Sequence, residues 1–347
     1  MLFRPFHLSF HRLVKTILKE QFPPETSSTK QLDQFFSRMP GCRRKWEVVL
    51  ISIVPHTCAM TADLLKSVIR ATVPRPLRNW LRSPSRSTRW LWDATRFYLG
   101  TTETLQFPPN WTLICHPHAY RVAYQAQIAD PEQSEEFQNF VIQCTRSMFL
   151  LDIGAHFGIF SLAAAHFGGK AIAIDPSPIA ARMIAMQSAL NRLSDSIHII
   201  QAAVSDEGGA VDMLSSGVFS DGYFKMTRKK AKSELTRTPA TTIDQLVSQY
   251  GPPTHIKIDV EGQEAAVLRG GRKALDQYSP ILFLELHNEM ITSEGGDPNL
   301  ALNELVGLGY EPFGLKGNSL QRDFILQKPL IRLLAARAKG RGIETRR

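Results

Sequence analysis

Short apolar runs, each closed by an acidic residue and a glycine turn, recur through the middle of the chain and alternate with stretches of helical spacing. Leu150, Leu151 and Ile153 form the first run, the pattern of a strand buried on both faces of a parallel sheet. Asp152 lies at its end, and Gly154 and Gly158 flank a tight loop. A helix predicted from Ser161 to His166 stops at Gly168-Gly169. A second run begins at Lys170 and ends at Asp175-Pro176. A helix then runs from a Ser177 cap, with Pro178 in its first turn, through Leu193. A third strand, Ile197 to Val204, ends at Ser205-Asp206. Strand, helix and strand repeated in this way predict a doubly wound α/β sheet.

The alternation returns at His255–Glu264, where Ile256, Ile258 and Val260 interleave with Lys257, Asp259 and Glu261. A strand packed on both faces avoids such alternation, so the charges are expected at its carboxyl end. Gly262 turns the chain into a helix from Glu264 to Leu268, and the strand Pro280–His287 ends in Glu285 and His287. Ligands of open α/β sheets bind beyond the carboxyl ends of the strands. Asp152, Asp175, Asp206, Asp259, Glu261, Glu285 and His287 are therefore expected on one rim. The intervening 205–254 is long for a crossover, and its basic run Lys225–Lys232 reads as a solvated loop or an acceptor-binding lid. Further on, a helix is predicted from Leu300 to Leu308, and strands at Tyr310–Phe313 and Asp323–Gln327. A basic helical or frayed tail follows from Ile331. Upstream, Trp111–Gln127 reads as a hairpin.

The first glycine loop bears on the cofactor. Dinucleotide sites use G-x-G-x-x-G so that a pyrophosphate can approach a helix N-terminus. Here the pattern is Asp152-x-Gly154-x-x-x-Gly158, with Ser161 in place of a third glycine. A carboxylate in the loop suits a cationic ligand such as S-adenosylmethionine, which carries an ammonium and a sulfonium and no phosphate. Asp175, about twenty residues further on, has the spacing and chemistry to accept ribose hydroxyls.

These motifs taken together resemble the FkbM-type methyltransferases. They are Asp152-Ile-Gly154 with Gly158, Ala203-Val-Ser-Asp206, Thr242-Ile-Asp-x-Leu246, Lys257-Ile-Asp-Val-Glu-Gly-x-Glu264, and a strand from Pro280 to His287 carrying Glu285. The resemblance covers roughly residues 110–327, and the Lys257–Glu264 block is its specific part. It implies a Rossmann-like, mostly parallel seven-stranded sheet with an added antiparallel strand. It also implies methyl transfer from S-adenosylmethionine to a hydroxyl of a sugar, glycolipid or other secondary metabolite, with Asp206 facing the adenine amine. His156 stands where the family often has asparagine.

Charge divides the 347 residues into three expected regions. Residues 1–109 form a basic, tryptophan-containing N-terminal extension, 110–327 the methyltransferase domain, and 328–347 a basic tail. Positions 111–327 carry 17 Lys and Arg against 24 Asp and Glu, whereas 1–110 carry 17 against 7. An acidic body argues against nucleic acid as the acceptor, because phosphate contacts need a positive surface. Phe10, Leu13, Val14, Ile17 and Leu18 share a helical face beside Arg12, Lys15 and Lys19. That face suits packing on a domain or peripheral contact with an anionic membrane. No apolar run is long enough to span a bilayer and none reads as a signal peptide. Four separated cysteines without a Cys-x-x-Cys pair fit a cytoplasmic setting and give no metal site.

For the chemistry, His287 is the favoured general base because imidazole titrates near neutrality; Asp259 and Glu261 are the other candidates. Cofactor contacts are assigned to Asp152, Gly154, His156, Gly158, Asp175 and Asp206. Two other readings use the same residues. One treats Asp259, Glu261, Glu285 and His287 as hard-cation ligands for a metal-assisted reaction. The other is a non-catalytic protein that retains the cofactor pocket and binds a partner.

Overall fold

Residues 149–174 of the computed structural model show why the site forms where it does. The strand β3 (Phe149–Ile153) and the strand β4 (Lys170–Ile174) lie side by side and parallel, joined by the helix Ile159–His166. The structure describes residues 86–108, 110–215, 224–226 and 235–337. The expected N-terminal amphipathic face, residues 328–347 beyond Arg337 and most of the Lys225–Lys232 run lie outside them.

In chain order the elements begin with helix α1 (Arg86–Tyr98) and the hairpin strands β1 (Glu103–Phe107) and β2 (Trp111–Cys115). Helical turns lead to α2 (Pro131–Gln143). After β3 come α3 (Ile159–His166), β4, α4 (Pro178–Leu190), β5 (Ile197–Ile200), β6 (Ala203–Val204), β7 (Gly209–Ser215), β8 (Phe224–Met226) and β9 (Leu235–Thr241). Then follow α5 (Ile243–Tyr250), β10 (His255–Ile258), α6 (Glu264–Arg269), α7 (Arg272–Tyr278), β11 (Ile281–Leu286), α8 (Asn288–Ser293) and α9 (Asn299–Gly307). The last elements are β12 (Tyr310–Phe313), α10 (Arg322–Gln327) and β13 (Ile331–Arg337).

The main sheet has seven strands in the order β12-β13-β11-β10-β3-β4-β5. Six run one way; β13 runs antiparallel between β11 and β12. This is the expected Rossmann-like, mostly parallel sheet with one reversed strand. The chain winds outward from β3 to β5 and returns to β10 on the other side of β3, which puts the topological switch point between β3 and β10. Side chains alternate between two buried layers. Leu150 and Phe283 pack with Phe137, Phe140 and Phe160 on one face. Leu151, Ile153, Ile256, Ile258, Leu282 and Leu284 form the other. The edge-to-face contacts of Phe140 with Phe160 and Phe283 fix α2 and α3 on the first face.

Local signals explain most boundaries. Ser177 caps α4 by accepting from the Ala180 amide, with Pro178 at its first position. Thr242 and Gln245 make a capping box at α5. Asp130 caps α2 ahead of Pro131, a start signal present in the sequence but not read there as a helix.

Several elements differ from the sequence expectation. The hairpin is β1–β2, with helical turns in place of its predicted extension to Gln127. It straddles the expected 109/110 boundary, and its Trp111, Leu113 and Phe107 belong to the core. Arg86–Arg89, whose Ser and Arg content carries no apolar period, lie in α1. The single strand expected over 197–204 divides into β5 and β6, which belong to different sheets. The long crossover holds most of a four-stranded sheet, ordered β6-β9-β7-β8. Asp323–Gln327 is helical, because a short apolar run carries no period that separates helix from strand. Part of the expected basic tail is β13, whose Leu333, Leu334 and Ala335 are buried between β11 and β12. Among the described residues no helix is long and apolar enough to cross a membrane.

Gly154 is where the two halves of the sheet meet most closely. Its φ is +77°, and a Cβ there would lie 1.7 Å from the Asp259 carbonyl oxygen. Gly154→Ala should therefore cost about 3 kcal/mol or more, combining left-handed strain with displaced backbone. Denaturant unfolding checks it; a loss below about 1 kcal/mol would show that β3 and β10 can separate there without cost.

Candidate active site

The cavity of about 270 Å³ at the carboxyl ends of β3, β4, β10 and β11 is lined on one side by Asp152–Phe157, Asp175 and Ala202–Val204. On the other it is lined by Lys257, Asp259–Glu261, Glu285, His287 and Arg332. The first side is a loop held by its own hydrogen bonds. Asp152 is buried and its Oδ2 accepts from the Ser161 amide at 3.0 Å and the Ser161 hydroxyl at 2.6 Å. Ser161, the residue in place of a third glycine, thus anchors the first turn of α3 to the end of β3. Desolvation pushes the Asp152 carboxyl up to about 6 despite those donors.

Three residues of the loop have positive φ: Gly154, His156 at 50° and Gly158. Asp175 Oδ2 accepts from the His156 amide at 2.8 Å, and its Oδ1 accepts from the Ser177 amide at 2.8 Å. Burial raises the Asp175 carboxyl to about 7, since desolvation outweighs the two amide donors. The His156 ring stacks on Phe157, and the Tyr124 hydroxyl donates to the Phe157 carbonyl at 2.5 Å.

The loop's amides decide which ligands it can cradle. Gly154 and Ala155 both donate to the Ile174 carbonyl, His156 to Asp175 and Gly158 to the Ala155 carbonyl. A pyrophosphate drawn into the loop would have to compete for these donors. With them consumed internally and two carboxylates beside them, the loop does not fit a phosphate-bearing cofactor. It does fit a cationic one.

The opposite side is a buried charge network. Lys257, in the middle of β10 rather than at its end, is almost wholly buried. Its ammonium lies 2.8 Å from Glu136 Oε1 on α2 and 3.5 Å from Glu285 Oε2 on β11, and 5.1 Å above the Phe160 ring. Burial opposes its charge, but Glu136, Asp259 and Glu285 outweigh that and raise its pKa. Arg332 of β13 faces Glu285 Oε1 at 2.7 Å and Glu136 Oε2 at 3.5 Å. Burial alone would raise Glu285, yet Lys257 and Arg332 hold its carboxyl below the ordinary range. Desolvation and the Glu285 charge lift the Asp259 carboxyl well above the usual carboxylate range; Lys257 and His287 favour the carboxylate, but less strongly than its surroundings oppose it.

His287 closes this side. Its Nδ1 lies 2.7 Å from Glu264 Oε1, while Nε2 lies 3.6 Å from Asp259 Oδ1 and 3.8 Å from Glu285 Oε1. Burial opposes its protonation, but the hydrogen bond to Glu264 and the charges of Asp259, Glu264 and Glu285 give a net rise in pKa.

Of the residues singled out in the sequence, Asp152, Gly154, His156, Asp175, Asp259, Glu261, Glu285 and His287 all line this cavity. Gly158 acts behind it, turning the loop against Ile184. Asp206 does not line it. Its carboxylate is held by Arg269 at 3.0 Å and by Ser205, and Ala202–Val204 and Met213 form that edge instead. Asp206 thus faces Arg269 of α6, beside the close packing of Gly270 on the Ser205 carbonyl. Asp259, Glu285 and His287 offer ligand atoms within 4.8 Å of one another. Both Glu285 oxygens already face cations, so this donor set does not fit a resident metal ion.

The sequence reading missed Glu136, Glu264 and Arg332 as members of the site. Glu264 was legible as part of the most specific motif, and Glu136 through the Asp130-Pro131 helix start; Arg332 lay in the expected tail. Removing one partner of the buried network should leave uncompensated carboxylates. Lys257→Met is expected to destabilise the chain by about 3–5 kcal/mol, and adding Glu136→Leu should recover part of that loss. Equilibrium unfolding of both variants checks it, and a single variant as stable as wild type would remove the pair from the account.

Comparison with known proteins gives three kinds of result. No curated protein matches the chain significantly. Among solved structures, it is similar to the methyltransferase FkbM from Methylobacillus flagellatus KT at 16% identity and a TM-score of 0.37, covering 55% of this chain and 44% of that one. It thus spans less than half the length of that protein. The O-methyltransferase from Bacillus cereus in complex with SAH matches at 14% identity and 0.35, covering 63% and 90%. An rRNA methylase from Streptococcus thermophilus matches at 11% and 0.37, covering 60% and 98%. The family description matched is Methyltransferase FkbM domain, over residues 152–312. That span holds every cavity residue from Asp152 to His287, and this part of the chain is an FkbM methyltransferase domain.

Proposed function

We propose that the chain is an S-adenosylmethionine-dependent methyltransferase that methylates a hydroxyl oxygen of a small polar acceptor such as a sugar or glycolipid. Its folded domain reaches from the β1–β2 hairpin through β13. The observation that carries the cofactor reading is the glycine loop whose amides are consumed internally while Asp175 faces the cavity. When bound, S-adenosylmethionine supplies a methyl group on a sulfonium, an electrophile that needs no acid. Asp175 would accept the ribose hydroxyls, and the carboxylates of Asp259 and Glu261 would face the ammonium. Gly154 lets the loop pass against the Asp259 carbonyl, and Tyr124 fixes the Phe157 end of the loop by its hydrogen bond to that residue's carbonyl.

The acceptor side is polar. Gln127, Gln133, Glu285 and Arg332 line it together with His287, which suits an acceptor rich in hydroxyls. Holding that hydroxyl in line with the donor supplies much of the rate, and a positioned base adds about 10²–10⁴-fold. His287 Nε2, which faces the cavity among these polar groups, would take the proton. The acidic body of the domain favours a small acceptor over nucleic acid.

Calorimetric titration should show S-adenosylmethionine binding and no NAD binding. Asp175→Ala should weaken the former by about 10–100-fold, the loss of hydrogen bonds to a charged group; an unchanged Kd would sink the ribose assignment. Only the ionised Asp175 accepts both ribose hydroxyls, so affinity should be flat above pH 8. It should fall about tenfold per unit below its free-protein pKa of about 7. A second expectation concerns turnover. His287→Ala should lower kcat by about 10²–10⁴-fold with cofactor affinity within about twofold. Wild-type turnover would exclude His287 as the base. Cofactor binding with no methyl transfer to a broad panel of hydroxyl compounds would instead favour a non-catalytic binding protein.

A further inference from the structure

We infer that Glu264 is a positioning residue for His287: it holds the imidazole Nδ1–H, so that the Nε2 lone pair faces the cavity as the proton acceptor. The catalytic consequence rests on the methyl-transfer reading; the tautomer assignment rests on geometry alone.

Glu264 is fully buried at the first position of α6, two residues after the positive-φ Gly262. Its Oε1 accepts from the Gly262 amide at 3.0 Å and meets His287 Nδ1 at 2.7 Å. A carboxylate oxygen already accepting an amide N–H acts as an acceptor toward the imidazole as well, so Nδ1 carries the hydrogen. The other nitrogen has no comparable partner. Nε2 is 3.6 Å from Asp259 and 3.8 Å from Glu285, beyond hydrogen-bond reach, and both carboxylates lie on the cavity wall. The Gly262 turn thus brings one buried carboxylate behind the ring and leaves the ring's outer nitrogen toward the ligand space. The charged groups around the ring are Glu264 from α6, Asp259 from the end of β10 and Glu285 from β11. Lys257 and Arg332 stand behind Glu285.

In the transfer, the acceptor oxygen forms a bond to the methyl carbon as the carbon–sulfur bond breaks. The sulfur keeps that electron pair and becomes a neutral thioether. The hydroxyl proton passes to His287 Nε2, giving an imidazolium whose Nδ1–H stays on Glu264. The imidazolium then returns its proton to water. Glu264 touches no reacting atom; it acts through the ring.

The test is imidazole ¹⁵N NMR on the full chain without cofactor, with His287→Gln used to assign the signal. The expected result is that neutral His287 carries its hydrogen on Nδ1. Glu264→Gln keeps an acceptor for Nδ1–H but removes the charge, so the His287 midpoint should fall by about one pH unit or more with the tautomer retained. In methyl-transfer assays the acid limb of kcat/KM should move down by the same amount, with KM for the methyl donor unchanged. An Nε2–H tautomer in the wild type, or an unshifted midpoint in Glu264→Gln, would overturn the assignment. If Glu264→Gln does not fold, the wild-type tautomer still decides. A chain with the expected tautomer and midpoint shift that binds no S-adenosylmethionine would overturn the functional reading and leave this one standing.

Discussion

The site depends on an ammonium buried in the middle of the sheet. Lys257 sits on β10 opposite Asp152 of β3 and Phe283 of β11, and it is almost wholly buried there. A lone charge there would be prohibitively costly, so its neighbours must be carboxylates. Glu136 reaches it from α2 and Glu285 from β11, and Arg332 from the antiparallel β13 compensates both. Four elements far apart in sequence are thereby held to one point. The pattern explains why the reversed strand and the helix before β3 belong to the same unit as the glycine loop, although both lie outside the matched family span.

This arrangement sorts the carboxylates by the company they keep. Glu285, faced closely by two cations, stays ionised, whereas in Asp259 desolvation and the Glu285 charge outweigh Lys257 and His287 and push it toward protonation. Asp175 is raised because burial outweighs two amide donors. The cavity therefore presents carboxylates of graded acidity around the His287 imidazole. Such separation of neighbouring pKa values divides proton-accepting from ligand-holding roles. The division comes from burial and partners, since the groups themselves are alike.

Much of this was legible locally. The strands from Phe149, Lys170, His255 and Ile281 announce themselves as apolar runs closed by an acid and a glycine, because a strand between two layers and its exit turn are both encoded within a few residues. Seven of the nine residues proposed as cofactor or catalytic contacts, Asp152, Gly154, His156, Asp175, Asp259, Glu261 and His287, line the cavity. The pairing of Asp206 with Arg269 was not legible, because a strand end says where a residue leaves the sheet and nothing about a distant partner. The Ile331–Arg337 segment was misread because its composition is that of a tail, while its conformation is set by the open edges of β11 and β12.

The amino-acid sequence by itself determined the winding of the sheet, the acidic glycine loop and the family to which that loop and the Lys257–Glu264 block point. Each is a matter of period, turn chemistry or short spacing, which neighbouring residues impose on one another. Only the tertiary structure decided that Lys257 is a buried hub rather than a rim charge, and that the loop's amides are spent internally. It also decided that Glu264 backs His287 and that Arg332 completes the floor. Those facts depend on which side chains meet across the sheet, and long-range pairing leaves no period in the chain.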